Sequence, residues 1–324
     1  MCRRESIPAS TYESAAVIAL EIPEPATVPA APPVSGVRCR QIGPSDLGAV
    51  TDLLTAGFPR RDRNYWLAGL HHLRDRSCPA DTPRYGYLLE HENRPVGVLL
   101  LIFSFRAGAS GETLRCNVSS WYVVPEFRNL APLLVLQGLR QRQATFINTS
   151  PADNTLTTIE AQGFRRFCNG VFVAAPILTI RASGGKVLRF ADTLRPQDLL
   201  PPSETTLLRD HHAFGCISLI LQVQGHSEPI VFRRRLIKHR FKRAWLPCAQ
   251  LIYARDMESV VRCSGLIGRY LALRGMPLLL IGANQPIADL PGRYYDDKSP
   301  MYYRGPNKPH LGDLAYTEDA LFGV

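Results

Sequence analysis

Hydrophobic and polar positions alternate from Val37 onward in "VRCRQI", which predicts a half-buried strand. In the next segment, "GPSDLGAVTDLLTAGF", apolar residues recur at helical spacing behind Ser45 or Asp46, either of which can cap a helix N-terminus. The segment "RDRNYWLAGLHHLRDR" predicts a second helix. The residues expected on its buried side are Tyr65, Leu67, Leu70 and Leu73.

Three strands are expected in succession, followed by alternating helices and strands. The segment "RYGYLLEHENRPVGVLLLIFSF" is typical of a hairpin that turns at residues 92–95. The elements expected after it are a strand over 116–124, a helix over 131–142, a strand over 144–148, a helix that stops at Gly163 and a strand near 171–173. Consecutive strands pair antiparallel, whereas a strand–helix–strand unit makes a parallel, right-handed crossover. The order predicts an α/β (α+β) fold, a mixed sheet with helices on both faces.

The second half of the chain repeats this order coarsely. "ISLILQVQGHSEPIVFRRRLIK" predicts a hairpin near Gly225, "AQLIYAR" a strand, "MESVVRCSGLIGRYLALRG" a helix closed by Gly275, and "PLLLIGAN" a buried strand. A degenerate internal duplication, and so a tandem fold, is therefore expected. The predicted divisions are a disordered Pro/Ala-rich arm (1–36), a first domain (37–185) and a second domain (186–324) with a basic hairpin and a Tyr/Asp-rich tail.

Composition narrows the class of protein and of partner. The chain has 324 residues, 45% of them hydrophobic, and a net charge of +10. This charge favours an anionic partner, such as a phosphorylated cofactor, a nucleic acid or an acidic lipid surface. The 8 cysteines form no CxxC pair, so we expect no metal site and reduced thiols, as in a cytoplasmic protein. The longest apolar run, "VGVLLLIF", is too short to span a bilayer, and no transmembrane segment is expected.

One strand-to-helix turn has the features of a phosphate site. In "SSWYVVPEFRNLAPLL" an apolar strand ends at Val124-Pro125, and a helix follows the turn. The first amides of a helix have no intrahelical partner and attract anions. The Arg128 guanidinium stands at the start of this turn, where it can reach a phosphate.

The same residues resemble the acyl-CoA-binding signature of the GNAT acetyltransferase superfamily. The pattern is Val123, Pro125, Glu126, Phe127 and Arg128, and "EAQGFRRF" resembles the family's later Gly-Phe element. The resemblance covers about residues 37–180. It implies that the strand 119–124 pairs with the pantetheine arm and that the amides of 128–133 hold the pyrophosphate. The cofactor-binding residues implied are Tyr122, Val123, Val124, Arg128, Asn129, Leu130, Ala131 and Leu133.

By this resemblance the chain takes acetyl-CoA or another acyl-CoA as co-substrate, without a metal. An amine or hydroxyl of a small-molecule or saccharide acceptor would attack the acyl group directly. The turn departs from the family pattern, because Asn129, Ala131 and Leu133 stand where glycines are usual. Farther along the chain, Ile159 stands where many members have a tyrosine that acts as the acid for the leaving thiolate. The candidate catalytic groups are Ser120, His212 of "RDHHAFG", and Tyr294 of the Tyr/Asp-rich tail.

A basic segment keeps other functions open. "RRRLIKHRFKR", Arg233 to Arg243, could bind RNA or DNA, grip the phosphates of a small molecule, or form a solvated hairpin edge. The alternatives to an acyltransferase are accordingly a nucleic-acid- or aminoacyl-tRNA-engaging protein on the same tandem fold and a catalytically inactive scaffold.

Overall fold

A computed structural model describes four stretches of the chain, residues 36–108, 111–179, 184–238 and 245–322. The predicted disordered arm, apart from Gly36, lies outside the described residues, as does the end of the basic hairpin, 239–244. Among the described residues, no helix combines the length and apolar character needed to cross a membrane.

The strands of the first half follow the predicted order. They are β1 (Val37–Gln41), β2 (Gly86–His91), β3 (Arg94–Gly108), β4 (Gly111–Val123), β5 (Thr145–Asn148) and β6 (Arg165–Ala174). The strands of the second half are β7 (Gly185–Arg189), β8 (Ile217–Val223), β9 (His226–Lys238), β10 (Trp245–Ala254), β11 (Leu278–Ala283) and β12 (Gly292–Arg304).

The helices lie between these strands. They are α1 (Leu47–Gly57), α2 (Arg63–Asp75), α3 (Ala131–Gly138), α4 (Leu156–Ala161), α5 (Pro202–Ala213), α6 (Met257–Arg262), α7 (Ser264–Ala272) and α8 (Glu318–Leu321). The helix expected over 131–142 is shorter than predicted, because α3 ends at Gly138.

The sheet is mixed, as the sequence predicted, and all described strands belong to it, which the sequence did not predict. Its order is β1-β2-β3-β4-β5-β12-β6-β11-β10-β9-β8-β7. Strands β1 to β4 pair antiparallel and β5 joins β4 in parallel; β7 to β10 pair antiparallel and β11 joins β10 in parallel. A register shift occurs between β3 and β4 near Leu99–Leu101, and another between β9 and β10 near Leu251–Tyr253. The two halves thus have the same strand pairing, and in each half a register shift lies between the third and the fourth strand.

The last strand of each half pairs with the other half. β12 lies between β5 and β6, with Tyr302 opposite Asn148, and β6 pairs with β11, with Leu279 opposite Ala174. Residues 292–304 of the Tyr/Asp-rich tail form a central strand that the sequence pattern did not predict. The strand is interrupted between Asp296 and Met301, so its apolar residues do not keep a simple alternation.

Helices cover both faces of the sheet, as predicted. Within β3, Val98, Leu100 and Ile102 face a core under α1, α2 and α5, which also holds Leu321. The intervening residues face α3 and α4 in a second core, and α6 and α7 cover a third core on β8 to β11. A strand buried on both faces has a continuous apolar sequence, as "VGVLLLIF" does.

Two local predictions about the first helices need correction. On α2, Leu70 and Leu73 are buried as predicted, but the third large buried side chain is Trp66, whereas Tyr65 and Leu67 are only half-buried. The helix is rotated in this way because Gly69 lets the Phe322 ring pack directly on its backbone. Asp46 occupies the N-cap of α1, but its carboxylate accepts the Gly43 N–H at 2.7 Å instead of capping α1.

Candidate functional site

A gap opens in the sheet where β4 and β5 diverge. The two strands pair only from Arg115 to Asn117 on β4 and from Thr145 to Ile147 on β5. β4 then continues to Val123 without a described strand on that side. Backbone groups along this free edge are available to an extended ligand.

A narrow cavity of about 60 Å³ follows the gap between the sheet and helices α3 and α4. Its walls are mostly apolar side chains: Leu101, Val118, Trp121, Val135, Ile159 and Phe164. Its polar end is formed by Ser119, Ser150 and Glu318. Ser119 lies at the register shift of β4, Ser150 follows β5, and Glu318 begins α8. The cavity therefore combines an apolar slot with one carboxylate.

Glu318 is held at this end by three contacts. Ser119 Oγ donates to Glu318 Oε2 at 2.5 Å, and Ser150 Oγ donates to Oε1. The Glu318 backbone N–H donates to Asn117 Oδ1 at 2.8 Å. The residue is only 7% exposed, so its side chain has a defined position.

The surroundings of Glu318 suit proton transfer near neutral pH. Burial raises the pKa of its carboxyl to about 7, and the neighbouring Asp319 carboxylate adds to the rise. The hydrogen bonds from Ser119 and Ser150 act in the opposite direction and lower the pKa. Because the group can gain and lose a proton close to pH 7, it has the property expected of a general base or acid.

The segment that carries Glu318 is anchored by a buried ion cluster. Asp313 accepts from Arg115 at 2.9 Å and from Arg106 at 3.0 Å. Burial alone would raise the pKa of Asp313, but the two guanidiniums outweigh burial and hold the pKa below its ordinary range. On the C-terminal side of Glu318, His72 Nδ1 donates to Leu321 O at a distance of 2.6 Å. The segment is thus fixed on both sides of Glu318.

The first histidine of the His-His pair has a structural role in the same anchor. His211 Nδ1 donates to Leu207 O at 2.7 Å, and Nε2 accepts the Tyr316 N–H at 3.1 Å. Burial lowers the pKa of His211 to about 3, so the ring is neutral at pH 7. It fixes the backbone of the segment two residues before Glu318.

The predicted phosphate turn has a different backbone from the one expected. Residues Pro125–Leu130 form a 3-10 helix that runs directly into α3. The Phe127 N–H donates to Val124 O, and the Ala131 N–H donates to Arg128 O. The expectation that the amides past Phe127 lie open is therefore wrong at Ala131, because a 3-10 helix bonds its own amides.

The implied cofactor-binding residues lie in several environments. Asn129 and Leu133 are exposed, Leu130 and Ala131 are half-buried, and the half-buried Arg128 has an enclosed Nε without a hydrogen-bond partner. Three further residues belong to the strand end: Val123 and Val124 contact the core under α3, whereas Tyr122 packs with Phe58 on the other face of the sheet. Their assignment to a cofactor stays a prediction.

The three candidate catalytic side chains lie apart from one another. Ser120 is buried next to Ser119 but does not border the cavity. His212 is exposed and borders a different cavity in the second half. Tyr294 lies on β12, where its hydroxyl donates to Asp296 Oδ1 at 2.8 Å. No local sequence signal identified Glu318; only the docking of the C-terminal segment brings it to Ser119.

The basic hairpin is partly engaged within the protein. Arg233 donates to Phe214 O, and Arg235 forms an ion pair with Asp319 at 2.6 Å. Arg234 is exposed. Binding of nucleic acid through Arg233–Arg243 stays a prediction.

Comparison with known proteins identifies the fold. No family model and no curated protein matches the sequence. A solved GCN5-related N-acetyltransferase from Anabaena variabilis ATCC 29413 is similar, with a TM-score of 0.55, 10% identity and coverage of 83% of this chain and 72% of that one.

Two further structures agree with this comparison. A conserved protein of unknown function from Enterococcus faecalis V583 gives a TM-score of 0.53 at 10% identity, covering 87% of this chain and 74% of that one. The GCN5-related glucosamine N-acetyltransferase region of a fungal multi-domain GH3 β-N-acetylglucosaminidase gives a TM-score of 0.51 at 10% identity. The match covers 87% of this chain and 39% of that one. The similarity extends over both halves of the present chain.

Proposed function

Since the chain has the fold of the GCN5-related N-acetyltransferases, we propose that it transfers an acyl group from acyl-CoA to an amine or hydroxyl acceptor. The observation that carries the proposal is Glu318, a buried carboxyl with a pKa of about 7 at the polar end of the cavity between β4 and β5. A general base of this kind suits removal of a proton from the attacking group. The narrow, apolar slot favours a short acyl group such as acetyl.

The donor would lie along the free edge of β4. Beyond Asn117 the edge has no strand partner among the described residues, so the pantetheine amides can bond to its backbone. The thioester would then reach Ser119 and Glu318 at the end of the slot. Arg128, in the 3-10 helix that follows β4, is the candidate for a phosphate contact.

The reaction follows from the position of Glu318. The lone pair of the acceptor attacks the thioester carbonyl carbon, Glu318 takes the acceptor's proton, and the carbon–sulfur bond breaks with the electron pair passing to sulfur. Ser119 and Ser150 keep the carboxylate oriented through their hydroxyl groups. The products are the acylated acceptor and CoA.

Glu318 can also act as the acid that protonates the leaving thiolate, a role that Ile159 cannot fill. Ile159 borders the cavity and is 5% exposed, so no side-chain proton is available there. A thiol has a pKa of about 8.5 and leaves readily as the thiolate. The proton that Glu318 has taken can pass to this thiolate, because a carboxyl with a pKa of about 7 is the stronger acid. One residue thus serves both proton transfers.

Two neighbouring substitutions on α3 test donor binding. Val135 borders the cavity, whereas Leu136 is 67% exposed and does not. Val135→Trp fills the slot and is expected to abolish the heat of acetyl-CoA binding in isothermal titration. Leu136→Trp adds the same ring one residue away and is expected to leave the affinity within about twofold, because exposed substitutions perturb little.

The titration also separates the alternative functions. Binding of acetyl-CoA that is unchanged in Val135→Trp would contradict the donor site. Heat with bulk tRNA and none with acetyl-CoA would favour the nucleic-acid-engaging alternative. Once donor binding is established, release of CoA is measured with a panel of acceptors, which includes amino sugars because the fungal relative is named for glucosamine.

A further inference from the structure

A second cavity, of about 240 Å³, lies at the end of the sheet in the second half of the chain. It is bordered by the end of β7, the start of β8, β9, the end of α5 and the end of α7. Its basic side chains are Arg189, Arg234, Arg274 and His212. No carboxylate is among the described residues that line it. We call it the basic cavity.

Arg274 is oriented without being neutralised. Its guanidinium stacks 3.7 Å from the centre of the Tyr270 ring and donates to Tyr270 O at 3.2 Å. Stacking on an aromatic face fixes the plane of the group and leaves its remaining N–H donors free. This is the arrangement that a preformed anion site requires.

The other two arginines also keep their charge available. Arg234 is exposed and has no hydrogen bond or ion pair to a described residue, in contrast to Arg233 and Arg235 on either side. Arg189 has one acidic neighbour, Asp192, at 3.5 Å, and both side chains are more than half exposed. An ion pair of this kind is screened by solvent and leaves the guanidinium able to bind a second anion.

Three arginines on separate elements border the basic cavity: Arg189 at the end of β7, Arg234 on β9 and Arg274 just after α7. Their positive charges therefore converge on one hollow.

We propose that the basic cavity binds the phosphate group of a small phosphorylated molecule. Guanidinium groups match phosphate oxygens in pairs, and several positive charges around one concavity repel one another until an anion lies between them. A small ligand fits better than a nucleic acid, because the cations surround one hollow instead of following a line. The neighbouring Arg233 and Arg235 contact Phe214 and Asp319 within the protein.

This site is separate from the proposed acyl-transfer site. None of its lining residues borders the cavity at Glu318. The two proposals therefore fail independently, and a variant that blocks one cavity leaves the other intact.

The probe is inorganic pyrophosphate, titrated at low ionic strength into the full chain and into variants. Arg234→Ala and the double variant Arg234→Ala/Arg274→Ala are expected to lower the affinity by about 10-fold and by about 100-fold, since each removes a charge-assisted contact. The matched control is Arg269→Ala, an exposed arginine of α7 that does not border the basic cavity. It is expected to keep the affinity within about twofold.

Arg234→Ala removes no described contact, so it should fold as the parent does, which the thermal midpoint checks. Pyrophosphate bound at the acyl-CoA site is distinguished with Val135→Trp, which should retain the Arg234-dependent heat. The proposal is overturned by an absence of saturable binding, by equal losses in Arg234→Ala and Arg269→Ala, or by Arg234-dependent binding of RNA without binding of pyrophosphate.

Discussion

Two adjacent carboxylates, Glu318 and Asp319, have opposite surroundings. Asp319 accepts from Arg235 at 2.6 Å, in an ion pair whose side chains are 9% and 12% exposed. Among the described residues, the Glu318 carboxylate accepts hydrogen bonds from two hydroxyl groups and from no cation. The difference supports a structural role for Asp319 and the proposed proton transfer for Glu318.

The raised pKa of Glu318 predicts how stability depends on pH. The folded-state pKa of about 7 lies above the ordinary value of 4.5. Its contribution to folding is therefore complete below pH 4.5 and is lost as the pH rises through about 7, by about 3 kcal/mol in all. Glu318→Gln should match the parent in urea unfolding near pH 4.5 and be the more stable protein at pH 8.

The neighbouring residue supplies the control for this experiment. Asp319→Asn leaves Arg235 without its carboxylate and should lower the free energy of unfolding by about 2 kcal/mol near pH 4.5. The loss should be smaller at pH 8, because removal of the Asp319 charge also lowers the pKa of Glu318. A Glu318→Gln variant that is less stable than the parent at pH 8 would contradict the claim that burial destabilises the ionised carboxyl.

At the scale of elements, the C-terminal segment connects the two halves to the site. Asp313 contacts Arg106 of β3 and Arg115 of β4, and it forms an isolated bridge with Tyr253 of β10. Glu318 follows five residues later, with its backbone bonded to Asn117 of β4. The position of the proton-transfer group therefore depends on a cluster that does not touch the cavity.

Asp313→Asn tests this dependence. The substitution leaves two buried guanidiniums without their carboxylate, which should cost about 3 kcal/mol or more. Hydrogen exchange in residues 312–322 should accelerate in the variant. The control is Asp297→Asn, which breaks an ion pair with Arg166 whose carboxylate is 79% exposed and should change stability by less than about 0.5 kcal/mol.

Equal effects of the two Asp→Asn substitutions would contradict the anchoring role. The measurement is the urea midpoint of each variant, with exchange of the C-terminal segment as the local readout.

Elements with a strong local pattern were predictable, and elements defined by distant contacts were not. The hairpin that turns at Glu92–Asn93 was predictable because apolar runs stand on both sides of a short polar turn. β12 was not, because the backbone turns at Asp297 and Ser299 interrupt the alternation of apolar and polar residues along it. Likewise the Val-x-Pro-Glu signature predicted the fold, whereas the 3-10 helix over Pro125–Leu130 was not predicted. Glu318 could not be found, because its partners Ser119 and Ser150 are remote in sequence.

At the scale of the whole molecule, the exchange of strands joins the halves. β12 of the second half completes the first, and β6 of the first half completes the second. Neither half has its full complement of strands when separated. The cavity at Glu318 needs both, since the carboxylate comes from the second half and the walls come from the first.

Separate expression of residues 1–185 and 186–324 tests this interdependence. Each fragment alone is expected to aggregate or to lack a cooperative thermal transition, because β5 and β11 would each have an unpaired edge. Co-expression should restore a soluble complex that elutes with the intact chain in gel filtration. A fragment 1–185 that unfolds cooperatively by itself would show that the exchanged strands are dispensable.

The most direct test of the account is the pH dependence of CoA release from acetyl-CoA in the presence of acceptors. The parent rate should rise about tenfold per pH unit below pH 7 and level off above it, because only the ionised Glu318 takes a proton. Glu318→Gln, which keeps the shape of the cavity, should be slower by about 10² to 10⁴ and lose this rise. A variant that retains the parent rate and the same midpoint would contradict the assignment of Glu318.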